Sequence, residues 1–224
     1  MAVTYEILKN DPQVRAYIEA GNNAMKALGI TEHSFAHVCK TAETAATILK
    51  ELNHSSEIIE LTKIAGLLHD IGNMQNRKFH APVGAEIART ILERFGMSFT
   101  DIGIVCSAIG NHDEETGKPV NIVSAALIIA DKADVRRSRV QETCMENILA
   151  DIHDRVNYAV TRAEIKILHE GKTNFIRLCL DLDSEFTPVL DYFEIFLTRM
   201  VMCRRSAAFL NAEFELFING SKIV

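Results

Sequence analysis

Apolar residues recur at steps of three and four through about the first 150 positions of this chain, then switch to every second position. The first period belongs to helices with one buried face and the second to half-buried strands, so the switch restricts the chain to a helical bundle followed by a small sheet. The clearest helix runs from Thr31, a suitable N-cap, to Leu52, with Phe35, Val38, Ala42, Ala45 and Leu49 on one side. A second spans Glu57 to Leu68, and Gly72 supplies the left-handed position that stops it. A third opens near Pro82 and ends at Gly96. Ser98-Phe99-Thr100-Asp101 resembles a capping box opening a fourth, and a buried helix covers Val120 to about Arg136. Beyond residue 160, Ala163–Ile167 and Phe175–Asp183 alternate around His169-Glu170-Gly171-Lys172, which predicts a β-hairpin. A helix from about Pro188 to Ala212 and a strand through Phe214, Leu216 and Ile218 complete a β-β-α-β unit. The expected fold is therefore mainly α: a bundle over 1–155 and a small α+β unit over 156–224, packed directly on it because no Pro/Gly/Ser-rich linker intervenes.

The 224 residues, 48% hydrophobic and 24% charged, suit one soluble globular core. No apolar run approaches the span of a membrane helix, and the start Met1-Ala2-Val3-Thr4-Tyr5-Glu6 reads as no leader. A formal charge of −6 argues against a general nucleic-acid binder. The cysteines, at 39, 106, 144, 179 and 203, are odd in number and contain no Cys-x-x-Cys, as expected of reduced thiols in a cytoplasm. A three-stranded sheet leaves edges exposed, so pairing as a homodimer is expected.

Where the apolar run Leu67-Leu68 ends, His69 and Asp70 stand side by side. An imidazole and a carboxylate are both good ligands for a divalent metal, and an ionisable pair in the last turn of a core helix costs free energy unless something binds it. His33 and His37 are four apart on the first long helix, hence neighbours on one face. Asp131 follows the wholly apolar Ile128-Ile129-Ala130, His80 stands just before a helix start, and His112 lies at a helix end in Gly110-Asn111-His112-Asp113. Several helix ends can thus bring these groups together at one end of a bundle.

The order His37, His69-Asp70, Asp131, each on its own helix, resembles the HD superfamily of metal-dependent phosphohydrolases, and His69-Asp70-Ile71-Gly72 matches its HDIG-type members. The stretch from Lys78 to Ile87, containing His80, is similar to the segment that adds a metal ligand in binuclear members. His112 with the following Asp113–Pro119 loop distantly resembles HD-GYP phosphodiesterases. Departures are Asn111 where those have a second His, Asn73 where a Lys is frequent, and no Gly-Tyr-Pro element, all of which argue against cyclic-dinucleotide hydrolysis. The resemblance implies two divalent transition ions (iron, manganese or zinc). His37, His69, Asp70 and Asp131 hold the first, and Asp70, the catalytic bridge, shares a second with His80 and His112. A hydroxide between the ions then attacks the phosphorus of a small anionic phosphomonoester, phosphodiester or nucleotide, with Lys132, Arg136, Asn73 and His33 as substrate contacts. Asp134 is read as a supporting or solvated group. The Arg136-Arg137-Arg139 cluster either meets the substrate or complements a helix dipole, and His54, His153 and His169 read as ordinary polar residues. Two other readings share this ligand set: a di-iron oxygenase, separable by oxygen consumption with reduced iron, and a non-catalytic metal or nucleotide sensor, separable by turnover.

Overall fold

The structure is a computed structural model describing residues 3–224. Among them the chain forms ten α-helices and four strands. The helices preceding the sheet are α1 (Tyr5–Lys9), α2 (Pro12–Ala27), α3 (Phe35–Glu51), α4 (Ser56–Leu68), α5 (His80–Arg94), α6 (Phe99–Gly110), α7 (Ile122–Lys132), α8 (Met145–Ala150) and α9 (Ile152–Ala159). The chain then runs through β1 (Val160–Glu170), β2 (Thr173–Leu182), α10 (Val189–Phe209), β3 (Ala212–Ile218) and β4 (Ser221–Lys222).

The mainly helical architecture with a small C-terminal sheet is as the periodicity predicts, and the differences lie at element ends. Helix α3 is capped by Ser34 rather than Thr31, because the Ser34 hydroxyl accepts the Ala36 amide. The helix expected to reach Arg136 ends at Lys132, so the arginine cluster lies beyond it, around a 3-10 turn at Arg137–Arg139. The helix-dipole reading of that cluster therefore fails. Gly72 is not left-handed: α4 passes through His69 and Asp70 into a 3-10 turn, Ile71–Met74. A glycine is needed there for space, since a Cβ would lie 2.0 Å from the His80 carbonyl oxygen.

The sheet order is β1-β2-β3-β4, with β1/β2 and β3/β4 antiparallel and β2/β3 parallel across the α10 crossover. The fourth strand corrects the three-strand expectation. Asn219 and Gly220, with φ of 49° and 78°, do not end the chain's strand but turn it back into a second hairpin.

Helix α7 is apolar all round and is buried as such a helix must be. Its Val123 and Leu127 pack into a cluster with α1–α6, including Leu67, Leu68, Ile91 and Ile109. Its Ala126, Ile129 and Ala130 pack into a second cluster with Ile176, Leu178, Tyr192, Phe196 and Leu216 of the sheet and α10. The apolar surface of α7 and α4 thus places the polar ends of both helices inside the molecule.

Candidate metal centre

His37 stands in the first turn of α3, His80 opens α5, Asp131 lies in the last turn of α7, and His112 follows α6 by two residues. His69 and Asp70 join α4 to the 3-10 turn. The six side chains come together at one end of the bundle, five of them buried and Asp131 slightly exposed.

Each histidine is oriented through its Nδ1. His69 Nδ1 donates to the Gly66 carbonyl at 2.8 Å, His80 to Arg77 at 2.8 Å, His112 to Ile109 at 2.6 Å and His33 to Thr31 at 2.6 Å. His37 Nδ1 donates to Asp134 Oδ2 at 2.8 Å. Carbonyl and carboxylate oxygens only accept, so Nδ1 carries a proton in every case and each Nε2 presents a lone pair whenever its ring is neutral, as it must be to bind a metal. The Nε2 atoms of His37 and His69 are buried and have no hydrogen-bond partner.

These lone pairs face the carboxylates. Asp70 Oδ2 lies 3.4 Å from His37 Nε2 and 3.2 Å from His69 Nε2, while its Oδ1 lies 3.6 Å from His80 Nε2 and 3.8 Å from His112 Nε2. Asp131 Oδ1 is 3.3 Å from His37 Nε2 and 3.6 Å from His69 Nε2. Ligand atoms sharing a tetrahedral cation at about 2.0–2.1 Å stand roughly 3.3 Å apart, so the donors have the spacing of a coordination shell. His80 Nε2 and His112 Nε2 meet at 3.1 Å. Two lone pairs repel at that distance, and a cation that both nitrogens ligated would relieve the repulsion. Buried orphan nitrogens, hard carboxylates and borderline imidazoles together fit divalent transition ions.

Burial opposes protonation of His69, but the Asp70 and Asp131 carboxylates outweigh it and raise its pKa to about 10. His80 goes the other way: burial lowers its pKa to about 4 in spite of Asp70, so it is neutral and ready to ligate at pH 7. Burial favours neutral carboxyls, yet His69 holds Asp70 well below the usual carboxylate range and Lys132 does the same for Asp131. In metal-free protein the raised His69 pKa contributes stability that is fully present below about pH 6.5 and lost as the pH climbs through about 10. Chelator-treated protein should therefore unfold at progressively lower temperature across that window. Scanning calorimetry checks this, and a flat profile overturns it.

The other expected site residues are placed as follows. Lys132 is buried between Asp131 Oδ2, at 2.8 Å, and Glu114 Oε2, at 2.6 Å, and Glu114 also accepts from Arg199 of α10 at 2.9 Å. Its charge is thus spent within the protein. Asn73 donates to Asp70 Oδ1 at 2.9 Å and fixes that carboxylate. Arg136 pairs with Asp134 at 2.9 Å and does not line the cavity described next. His33 does line it, 4.0 Å from Asp70 Oδ2.

A cavity of about 360 Å³ opens on the cluster. Asp70, His80, His112 and Asp131 form one side, and the 28–31 loop, α9 and α10 contribute the rest through Ile30, Asp154, Asn157 and Phe196 among others. His153, read from sequence as an ordinary polar residue, also lines it. Arg77, Arg139 and Arg199 lie on its wall, and the sequence pattern singles out neither Arg77 nor Arg199. Arg139 is spent on the Glu32 and Asp134 carbonyls. Among the described residues, the Arg77 guanidinium makes one hydrogen bond, to Asn73 Oδ1 at 3.3 Å, and no ion pair.

The HD domain profile matches residues 34–159, more than half of the chain and all six clustered residues. The chain belongs to the HD domain family, whose members include metal-binding hydrolases. It is similar to Ribonuclease Y of Enterococcus faecalis, at 27% identity over 175 residues covering 70% of this chain and 32% of that protein. It is also similar to Ribonuclease Y of Opitutus terrae, at 34% over 104 residues covering 45% and 18%. The chain thus spans about a third or less of the length of these relatives. A solved structure of a predicted HD superfamily hydrolase from an uncultured Thermotogales bacterium aligns at 25% identity and a TM-score of 0.44, covering 58% of this chain and 73% of that one. Among the described residues, no helix is long and apolar enough to cross a membrane.

Proposed function

We propose that this chain is a metal-dependent phosphohydrolase acting on a small phosphomonoester, phosphodiester or nucleotide. His37, His69, Asp70 and Asp131 hold one divalent cation, and His80, His112 and the second oxygen of Asp70 hold another. The observation that carries the reading is the placement of Asp70: one oxygen faces His37 and His69, the other faces His80 and His112. A cation pair, when bound, supplies a nucleophilic water at neutral pH and neutralises charge developing on the phosphoryl oxygens.

The chain's own residues do the rest. The Nδ1 anchors fix every imidazole, Asn73 fixes Asp70 Oδ1, and Asp134 fixes His37. Lys132 holds Asp131 Oδ2 and leaves Oδ1 turned to the histidines. Among the described lysines and arginines that line the cavity, Arg77 is the one not engaged by a carboxylate or a backbone carbonyl, which leaves it to meet a substrate phosphate. A second reading, phosphodiester cleavage in RNA, is favoured by the name of the relatives. The net charge of −6 and a cavity at the lower end of the range of about 300–1,000 Å³ found for small-molecule sites favour the first.

The test combines elemental analysis with turnover of mononucleotides, simple phosphomonoesters and a single-stranded RNA by manganese-, iron- or zinc-loaded protein. We expect phosphate release from a small ester and two ions per chain. His80→Ala and His112→Ala should each lower metal content towards one ion per chain and cut activity more than the roughly 10–100-fold typical of losing a group behind a ligand. Circular dichroism should remain unchanged. Full metal content in both variants, or no turnover of any phosphoester, overturns the proposal.

A further inference from the structure

Asp154 is a largely buried residue on the wall of the cavity, and no other group of the protein partners its carboxylate among the described residues. It is 7% exposed and lies in the first turn of α9. Among the described residues no hydrogen bond reaches its carboxylate, and no Lys, Arg or His nitrogen lies within 4.0 Å. Asp151 differs: its Oδ1 caps α9 by accepting the His153 and Asp154 amides. Asn157, one turn on and therefore on the same face of the helix, is also buried. Its Nδ2 donates to the His153 carbonyl, which leaves its Oδ1 as a second acceptor beside the carboxylate. Burial, with Asp151 and Glu142 nearby, raises the Asp154 carboxyl pKa, as befits a group short of donors. Two adjacent acceptors that open on a cavity and are committed to no protein donor are available to donors of a bound molecule, and they gain most where that molecule excludes water.

None of the cavity's lysines and arginines reaches them in this structure, Arg77 included, whose side chain bonds Asn73. Lys132 and Arg199 are held by Glu114, and Arg139 by backbone carbonyls. The rest of the wall includes the apolar Leu28, Ile30 and Phe196. We infer that Asp154 and Asn157 are specificity-determining residues that accept hydrogen bonds from hydroxyl groups on the alcohol part of the substrate. The site then selects a hydroxyl-bearing phosphate ester of the sugar-phosphate type over an alkyl or aryl phosphate. This rests on the phosphohydrolase reading above and sharpens its substrate.

The test uses adenosine 5′-monophosphate and its 2′,3′-dideoxy counterpart, which differ only in the two sugar hydroxyls, with metal-loaded wild type, Asp154→Asn and Asp154→Ala. Hydrogen bonds to a charged group separate such a pair by roughly 10- to 100-fold, so wild type should prefer the ribonucleotide by that factor in kcat/KM. In Asp154→Ala the ratio should fall towards one, with Asp154→Asn between. Because the readout is a ratio within each variant, lost folding cannot mimic it. The same ratio is measured by calorimetric titration with non-hydrolysable phosphonate analogues of the two nucleotides. If no phosphoester is turned over, the phosphohydrolase reading falls while the titration still decides the role of Asp154. An absent preference in wild type, or one that Asp154→Ala retains, overturns the inference.

Discussion

Asp70→Ala should leave a folded protein that binds neither ion and turns over no phosphoester. Among the described residues, Asp70 is the one whose oxygens approach all four cluster histidines, at 3.2–3.8 Å. Its removal takes an anionic ligand from both cations at once, whereas loss of His80 or His112 touches only one. The rate should fall by at least about 1,000-fold, the upper cost of deleting a single electrostatic stabiliser. Asp70→Asn is the stricter variant. It keeps the volume and an oxygen for the Asn73 amide, yet carries no charge to hold two cations. Both should lose metal by elemental analysis while their circular dichroism matches wild type. His54→Ala, outside the cluster, should change neither quantity. Two ions per chain and full turnover in Asp70→Asn would sink the bridging role.

The six clustered residues are legible in sequence because each is a metal-binding type set at the end of an apolar helix. Burial of Leu67-Leu68 and Ile128-Ile129 obliges the polar groups that follow them to be inside as well. What surrounds them depends on chain paths that periodicity does not encode. The Glu114–Arg199 pair joins residues 85 positions apart, and His37–Asp134 joins residues 97 apart. Helix α7 ends at Lys132 rather than continuing to Arg136, and the turn that follows puts the Arg136 side chain on Asp134. Asp154 stands in a short helix whose pattern gives no hint that it faces the cavity. The fourth strand does have a signal in the sequence: Asn219-Gly220 is hairpin chemistry rather than a strand end, and the two-residue β4 follows it.

Gly72→Ala should be the most destabilising single-methyl change near the site. Gly72 has ordinary negative φ, so the backbone itself would tolerate alanine. Space would not. The added Cβ falls 2.0 Å from the His80 carbonyl oxygen and 2.6 Å from the Gly84 amide nitrogen, both backbone atoms of α5. No rotamer change relieves that clash; the 3-10 turn and α5 must separate. Overpacking of this kind costs about 3 kcal/mol, which for a domain of this size lowers Tm by roughly 6–12 °C. The damage also reaches function. The turn follows Asp70 directly and α5 begins with His80, so moving them apart lengthens the 3.6 Å separation between Asp70 Oδ1 and His80 Nε2. Occupancy of the second ion should therefore fall with stability, and the first should be affected less. Gly103→Ala is the matched control. Gly103 is exposed on α6, and a methyl added there would meet no atom within 4 Å, so alanine should raise stability by about 0.5–1 kcal/mol through helix propensity alone. Thermal unfolding and metal content of the two variants, measured side by side, decide it. Equal Tm values would mean that the close packing of the 3-10 turn on α5 does not constrain the protein in solution.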